Sequence, residues 1–314
     1  MASFKYGSGS WVFGSQRDRF VDYRPTRPLT EKIRLLGQIP GIQGVEIIHP
    51  YDEIDIKSVK QALSDSGLSV VSVLASGIND FVFRYGGLSS SDKKLRLRAL
   101  DSVRDACDVA RALGAGVVTL WCGQDGYDYP FQTDYASARG RLAESIGAAA
   151  SWAPDLMFAL EYKPREPRVF CFIDRLSTAL LLAHDTGCQN VGVALDFGHS
   201  LMAGENPADA AQCALARGKL FLVHMNDNFG TWDDDLVPVT VHFWQTVEFF
   251  YVLQAERYEG FVSLDMAPFR ESPEDAVRTA LRLMEHALRV AEGVDSERLD
   301  ALASFEQLLN AQSR

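Results

Sequence analysis

Apolar residues in this chain fall in short continuous runs, separated by longer stretches in which they recur every three or four positions. The continuous runs are FKYGSGSWVF (4–13), GVEIIH (44–49), LSVVSVLA (68–75), GVVTLW (116–121), LMFALEY (156–162), NVGVALDF (190–197), KLFLVHMN (219–226) and FVSLDM (261–266). Apolar side chains on successive residues fit strands buried on both faces, as in a parallel sheet. Helical periodicity occupies 29–39, 57–67, 91–114, 134–153, 171–187, 206–217, 242–256 and 272–291. Several of these stretches open on Ser, Thr, Asp or Asn and stop at Gly, as helix ends require.

Eight strands alternating with eight helices predict a single (β/α)8 barrel over residues 1–293. A doubly wound sheet would have fewer strands and a glycine-rich first turn, which is absent. Residues 294–314 read as an added amphipathic helical tail for packing or subunit contact.

Charged residues sit where such runs end. Glu161, Asp196, His224 and Asp265 lie at or next to the ends of the fifth to eighth runs. A barrel gathers these ends on one face, and a buried carboxylate is costly without a partner. Four ligands from four consecutive strands would enclose one cation, and mixed oxygen and imidazole donors suit Mn²⁺, Co²⁺ or Mg²⁺, with Zn²⁺ also admissible. His199, at the start of a loop, with Asp233 and Asp235 in the loop after the seventh strand, forms a second set. Asp196 would bridge two cations per chain. Each residue alone has a plainer reading, as a helix cap, an ion-pair partner or a solvated acidic loop. The order and strand phase of the whole set favour metal ligation.

Composition narrows the partners. The chain has 314 residues, 47% hydrophobic and 23% charged, with a net charge of −11. A negative field of that size disfavours nucleic acid and anionic membranes. Five cysteines without CxxC pairing read as reduced thiols in a cytoplasmic protein. No signal-peptide pattern opens the chain and no run is long enough to span a membrane.

Seven motifs in register resemble xylose isomerase. They are Trp11 with RDRF (17–20) and TRP (26–28), HPYD (49–52), WCGQDGYDYP (121–130), EYKPREPR (161–168), DFGHSLMAGENP (196–207), WDDDL (232–236) and LDMAPFR (264–270). Asp196 and His224 depart from that family's ligand choices and resemble those of rhamnose isomerase and the ketose 3-epimerases. The resemblance implies a metal-dependent aldose–ketose isomerase that shifts a hydride between C1 and C2 of an opened sugar. His49 would be the ring-opening base and Asp52 its orienter. Lys163 would hold O1, and Asp235 would join in catalysis as a second-metal ligand. Glu161 and His199 would also meet the substrate, with Trp11, Trp121 and Phe20 as apolar walls. Phe20 would enter a neighbour's site in a homodimer or homotetramer, and Glu166–Pro167 would be cis.

Three other readings compete. A ketose 3-epimerase on the same barrel needs one metal and two carboxylates, for which Glu161 and Asp265 serve. It leaves His199, Asp233 and Asp235 without ligand roles. An abasic-site endonuclease needs more than six histidines and a basic groove, and a sugar-binding protein without activity needs no full ligand set.

Overall fold

In the computed structural model, residues 4–18 and 20–294 are described, so the predicted tail over 294–314 lies outside them save for Val294. Eight parallel strands form a closed barrel: β1 (Lys5–Gly9), β2 (Ile42–His49), β3 (Ser69–Ala75), β4 (Val117–Trp121), β5 (Met157–Glu161), β6 (Val191–Asp196), β7 (Leu220–Met225) and β8 (Phe261–Leu264). β1 pairs with both β8 and β2, which closes the ring. Helices α1 (Leu29–Gly37), α2 (Ile56–Ser66), α3 (Lys93–Leu113), α4 (Tyr135–Trp152), α5 (Leu176–Asp185), α6 (Phe197–Met202), α7 (Pro207–Leu215), α8 (Phe243–Ala255) and α9 (Pro273–Glu292) accompany them.

The predicted caps are present. Asp55, Asp92, Asp134, Asn206 and Ser272 each accept a hydrogen bond from a backbone N–H in the first turn of α2, α3, α4, α7 and α9. α9 buries Ala276, Val277, Ala280, Leu281, Met284 and Ala287 along one face, the stripe that its 3.6-residue period encodes. Truncating Met284, which is fully buried, to alanine would cost about 2–5 kcal/mol.

The main core lies between barrel and helices. Val71, Val117, Ala159, Ala194 and Leu222 form a separate apolar cluster. Beside these, the strands bury a polar set at 0% exposure: Ser8, Glu46, Ser72, Thr119, His224 and Ser263. Polar residues buried in strand interiors need partners, and Thr119, Ser72, Glu46 and His224 find them in one another, while Ser263 Oγ has no hydrogen-bond partner among the described residues.

Four expectations change. The first run ends as a strand at Gly9 and turns into a 3-10 helix over Ser10–Phe13. The run at 171–187 becomes helical only from Leu176, because Val169–Cys171 joins a small ribbon with Gly126–Tyr127 and Arg165–Glu166. His199 stands on α6, a helix that starts directly after β6, and not in a loop. The cis peptide bond among the described residues joins His49 and Pro50, and not Glu166 and Pro167. No described helix is long and apolar enough to cross a membrane.

Candidate active site and metal centre

Glu161, Asp196, His224 and Asp265 present ligand atoms that all lie within 4.8 Å of one another. Strand register brings them there. Asp196 of β6 pairs with His224 of β7, and His224 pairs with Ser263 of β8, two residues before Asp265. His224 Nδ1 lies 3.3 Å from both Glu161 Oε1 and Asp265 Oδ2. The C-terminal end of each strand therefore delivers one donor to a shared point, Asp265 from the residue just past β8, as the sequence pattern predicts.

Three of the four donors are held from behind. Asp196 caps α6 by accepting the His199 N–H at 2.7 Å, and its other oxygen accepts from Asn226 Nδ2 at 2.8 Å. The helix-cap reading of this aspartate is thus correct as well, since one carboxylate has both geometries. Trp11 Nε1 donates to Asp265 Oδ1 at 2.6 Å. The indole reaches that position by folding back over Gly9, where a Cβ would come within 2.2 Å of its ring. Glu46, in the middle of β2, faces His224 Nε2 at 3.1 Å and 3.2 Å through its two oxygens. The sequence reading missed Glu46; its signal was the one charge inside the apolar run GVEIIH.

His199, Asp233 and Asp235 stand beside this group. His199 Nε2 lies 3.1 Å from Asp233 Oδ2, and Lys163 Nζ lies 2.6 Å from the same oxygen. Lys163 also pairs with Glu166 and sits 5.4 Å from the Trp121 ring centroid. Asp233 Oδ2 therefore serves two side-chain partners, while Asp233 Oδ1 is buried without a hydrogen-bond partner among the described residues. Gly198 lets α6 approach the segment after β7, because a Cβ there would lie 2.0 Å from Asn226 Oδ1. That segment is closed by a reciprocal backbone pair between Asp227 and Leu236. Asp235 has φ 48°, so the backbone is not extended there and i, i+2 alternation does not relate it to Asp233. Both residues nonetheless line the same cavity.

That cavity, about 240 Å³, is lined by Trp11, Ile48, Tyr51, Leu74, Ser76, Trp121, Glu161, Lys163, His199, Asp233, Asp235 and Asp265. His49 is absent from it. It follows Ile48 and so falls on the other face of β2. Burial lowers its basicity, against the opposing charge of Asp105. Asp52 accepts from Ser10 Oγ at 2.6 Å, Lys32 Nζ at 2.7 Å and the Ile48 N–H at 2.9 Å. The structure thus does not bring His49 and Asp52 together as the expected ring-opening pair. Phe20 is 87% exposed and lies outside the cavity lining.

Crowded carboxylates shape the electrostatics. Burial, with Glu161 and Asp196 nearby, pushes Asp265 up to about 7, although His224 opposes it. Burial, with Asp233 and Glu161, raises Asp196 to about 6 against His199. Burial, with Asp233 and Asp265, pushes Asp235 well above the usual carboxylate range. Burial also works against charge on His199, yet Asp196 and Asp233 raise it to about 10. On Glu161 burial is outweighed by His224, His199 and Lys163, which hold it below its ordinary value. The cluster carries more negative charge than a neutral interior tolerates.

The residues fit a divalent cation. Three carboxylates and an imidazole converge in a buried position, a donor set that hard and borderline metals accept. His199 Nδ1 is also buried without a hydrogen-bond partner, 3.6 Å from Glu161 Oε1. Among the described residues, this group of four is the one whose donors lie close enough together to hold a metal ion, and His199, Asp233 and Asp235 are not part of it.

Residues 34–296 match the model of the xylose isomerase-like TIM barrel family. Solved structures share the fold. A 3-keto-D-glucoside 4-epimerase from E. coli is 20% identical, with a TM-score of 0.69 over 90% of this chain and 99% of that one. An L-ribulose 3-epimerase is 18% identical, with a TM-score of 0.71 over 96% and 99% of the two chains. The IOLI protein, solved with a bound zinc atom, is 14% identical, with a TM-score of 0.65 over 91% and 98%.

Proposed function

The chain belongs to the xylose isomerase-like TIM barrel family, and we propose that it is a metal-dependent epimerase acting at the carbon beside the carbonyl of a keto sugar. The observation that carries this reading is the four-donor group, the one such group among the described residues, with Asp233 Oδ2 of the second set facing His199 and Lys163. The aldose–ketose isomerase expected from the sequence needs two cations, and its second set supplied the case for it. Asp233 Oδ2 already serves two side chains, so the one-metal alternative, which needs no second ligand set, is the better supported. The 4-epimerase and 3-epimerase named above share the fold and add weight to the same choice.

Epimerisation needs an acid and a base on opposite faces of one carbon. Glu161 and Asp265 come from strands three places apart round the eight-stranded ring, and both reach the shared point. One takes the proton from the carbon next to the carbonyl, and the other returns a proton to the opposite face. A divalent cation held by Glu161, Asp196, His224 and Asp265 supplies Lewis-acid polarisation of the sugar oxygens. Lys163 and His199 line the cavity as hydrogen-bonding groups for sugar hydroxyls. Trp11 and Trp121 exclude water from the reacting face.

The test is turnover of D-allulose, D-tagatose, L-ribulose and a 3-keto-glucoside with Mn²⁺, Mg²⁺ or Co²⁺ in D₂O, read by NMR. The expected product is an epimer carrying one solvent deuterium at the inverted carbon. An aldose product from C1-deuterated ketose with the label at C2, or a ketose product from C2-deuterated aldose with the label at C1, would establish the hydride-shift isomerase instead.

A further inference from the structure

We infer that Glu46 is a positioning residue for the metal ligand His224, and that a hydrogen-bonded line from Thr119 through Ser72 fixes it in that role. The inference rests on the four-donor cage and is independent of which sugar reaction the cage serves.

Glu46 is a carboxylate at 0% exposure in the middle of β2, where an unpartnered charge is very costly. Its partners are specific. Ser72 Oγ donates to Glu46 Oε2 at 2.5 Å, and Thr119 Oγ1 donates to Ser72 Oγ at 3.1 Å. Three neighbouring strands, β2, β3 and β4, thus contribute one residue each to a line across the barrel. With both hydroxyl hydrogens used in that direction, Glu46 is an acceptor, and the group facing it is His224 Nε2. Glu46 Oε1 has no hydrogen-bond partner among the described residues, and His224 Nε2 faces it at 3.1 Å. A carboxylate at Nε2 holds the ring N–H there and turns Nδ1 toward Glu161 and Asp265. A carboxylate behind a ligating imidazole orients the ring and increases its donor strength.

The experiment is titration of the metal-free full chain with Mn²⁺ by calorimetry, for wild type and Glu46→Gln, alongside unfolding in EDTA and the visible absorption of the Co²⁺ forms. The expected result is about a 10- to 100-fold weaker Kd in the variant, a displaced Co²⁺ spectrum, and a metal-free Tm that does not fall. An unchanged Kd and spectrum overturn the inference, as does a lowered metal-free Tm with an unchanged Kd, which marks a packing role. If Glu46→Gln fails to fold, Ser72→Ala replaces it. About a fivefold loss is then expected, the effect of one net hydrogen bond, and an unchanged Kd again overturns the inference. Wild-type protein that binds no metal refutes the cage itself, a separate outcome.

Discussion

Lys163 Nζ lies 2.6 Å from Asp233 Oδ2, with both side chains 8% exposed, at the wall of the cavity that Glu161 and Asp265 also line. Burial disfavours charge on the lysine, but Asp233 and Glu166 reverse this and hold it protonated far above neutral pH. Lys163 is therefore a fixed cation and not a base. Lys163→Met is expected to lower kcat by about 10²- to 10³-fold, as loss of a buried electrostatic donor does. It should also destabilise the fold, because Asp233 keeps only His199 as a partner. Breaking a buried pair on one side costs about 3–5 kcal/mol. The Lys163→Met/Asp233→Asn double variant should recover most of that stability and none of the activity. Equal Tm values for single and double variants would show that the pair is not coupled.

Metal binding should stabilise the protein, more so at higher pH. Asp265 is raised to about 7 and Asp196 to about 6, mainly by burial. A raised carboxyl keeps its proton in the folded state while the unfolded chain has lost it. Metal-free stability from these groups is thus present below about pH 4 and is lost as pH rises through 6 to 7. A cation compensates the charge that appears over that window and must displace protons below it. The Tm increase on adding Mn²⁺, measured by calorimetry, should be larger at pH 8 than at pH 5.5. A larger increase at pH 5.5 would contradict this charge assignment.

The cage was legible in the sequence because its donors sit where strands stop, and a barrel sends those ends to one face. Glu46 was not, because a charge in mid-strand reads as ordinary alternation until the residue facing it is known. Its partner His224 is 178 positions away. The pairing of His49 with Asp52 looked natural at i, i+3, but Lys32, on α1, takes Asp52 through a contact that no local pattern encodes. His199 read as a loop residue because it lies three positions past Asp196 at the strand end, and the six residues of α6 are too few to show a helical period. The cap that starts α6 is Asp196, already assigned to another task.

Trp11→Phe keeps the cavity wall and removes the N–H that meets Asp265 at 2.6 Å. A hydrogen bond to a charged group is worth about 1.5–3 kcal/mol, so metal affinity or turnover should fall by about tenfold or more. The fold should be little changed, since Trp11 is only half-buried. A variant with wild-type metal affinity and kcat/KM would leave the indole as a wall alone.

Thiol chemistry offers an independent check on packing. Burial raises Cys107 to about 11 and Cys171 to about 12, and raises Cys122 further from reactivity. Cys188 and Cys213 are the more accessible pair. A disulfide reagent at pH 8 should label at most these two quickly in the native protein, and all five in denaturant. Rapid labelling of Cys122 or Cys171 would contradict the packing between β4 and the small ribbon.

Asp235 separates the one-cation and two-cation readings. Its carboxyl is buried and pushed well above the usual range, chiefly by burial and then by Asp233 and Asp265. An amide is close in shape and charge to that protonated carboxyl. The residue also has φ 48°, which Asn tolerates nearly as well as Asp. Asp235→Asn should therefore fold normally. In the one-cation reading it binds the same equivalent of Mn²⁺ as wild type, with a Kd changed by no more than about threefold, under the ~1.4 kcal/mol of a tenfold change. In the two-cation reading Asp235 is a ligand, and the variant should lose one of two bound equivalents. Metal content after gel filtration, with calorimetric stoichiometry for both proteins, distinguishes the two. A wild-type value of two that drops to one in the variant would return the site to the hydride-shift isomerase.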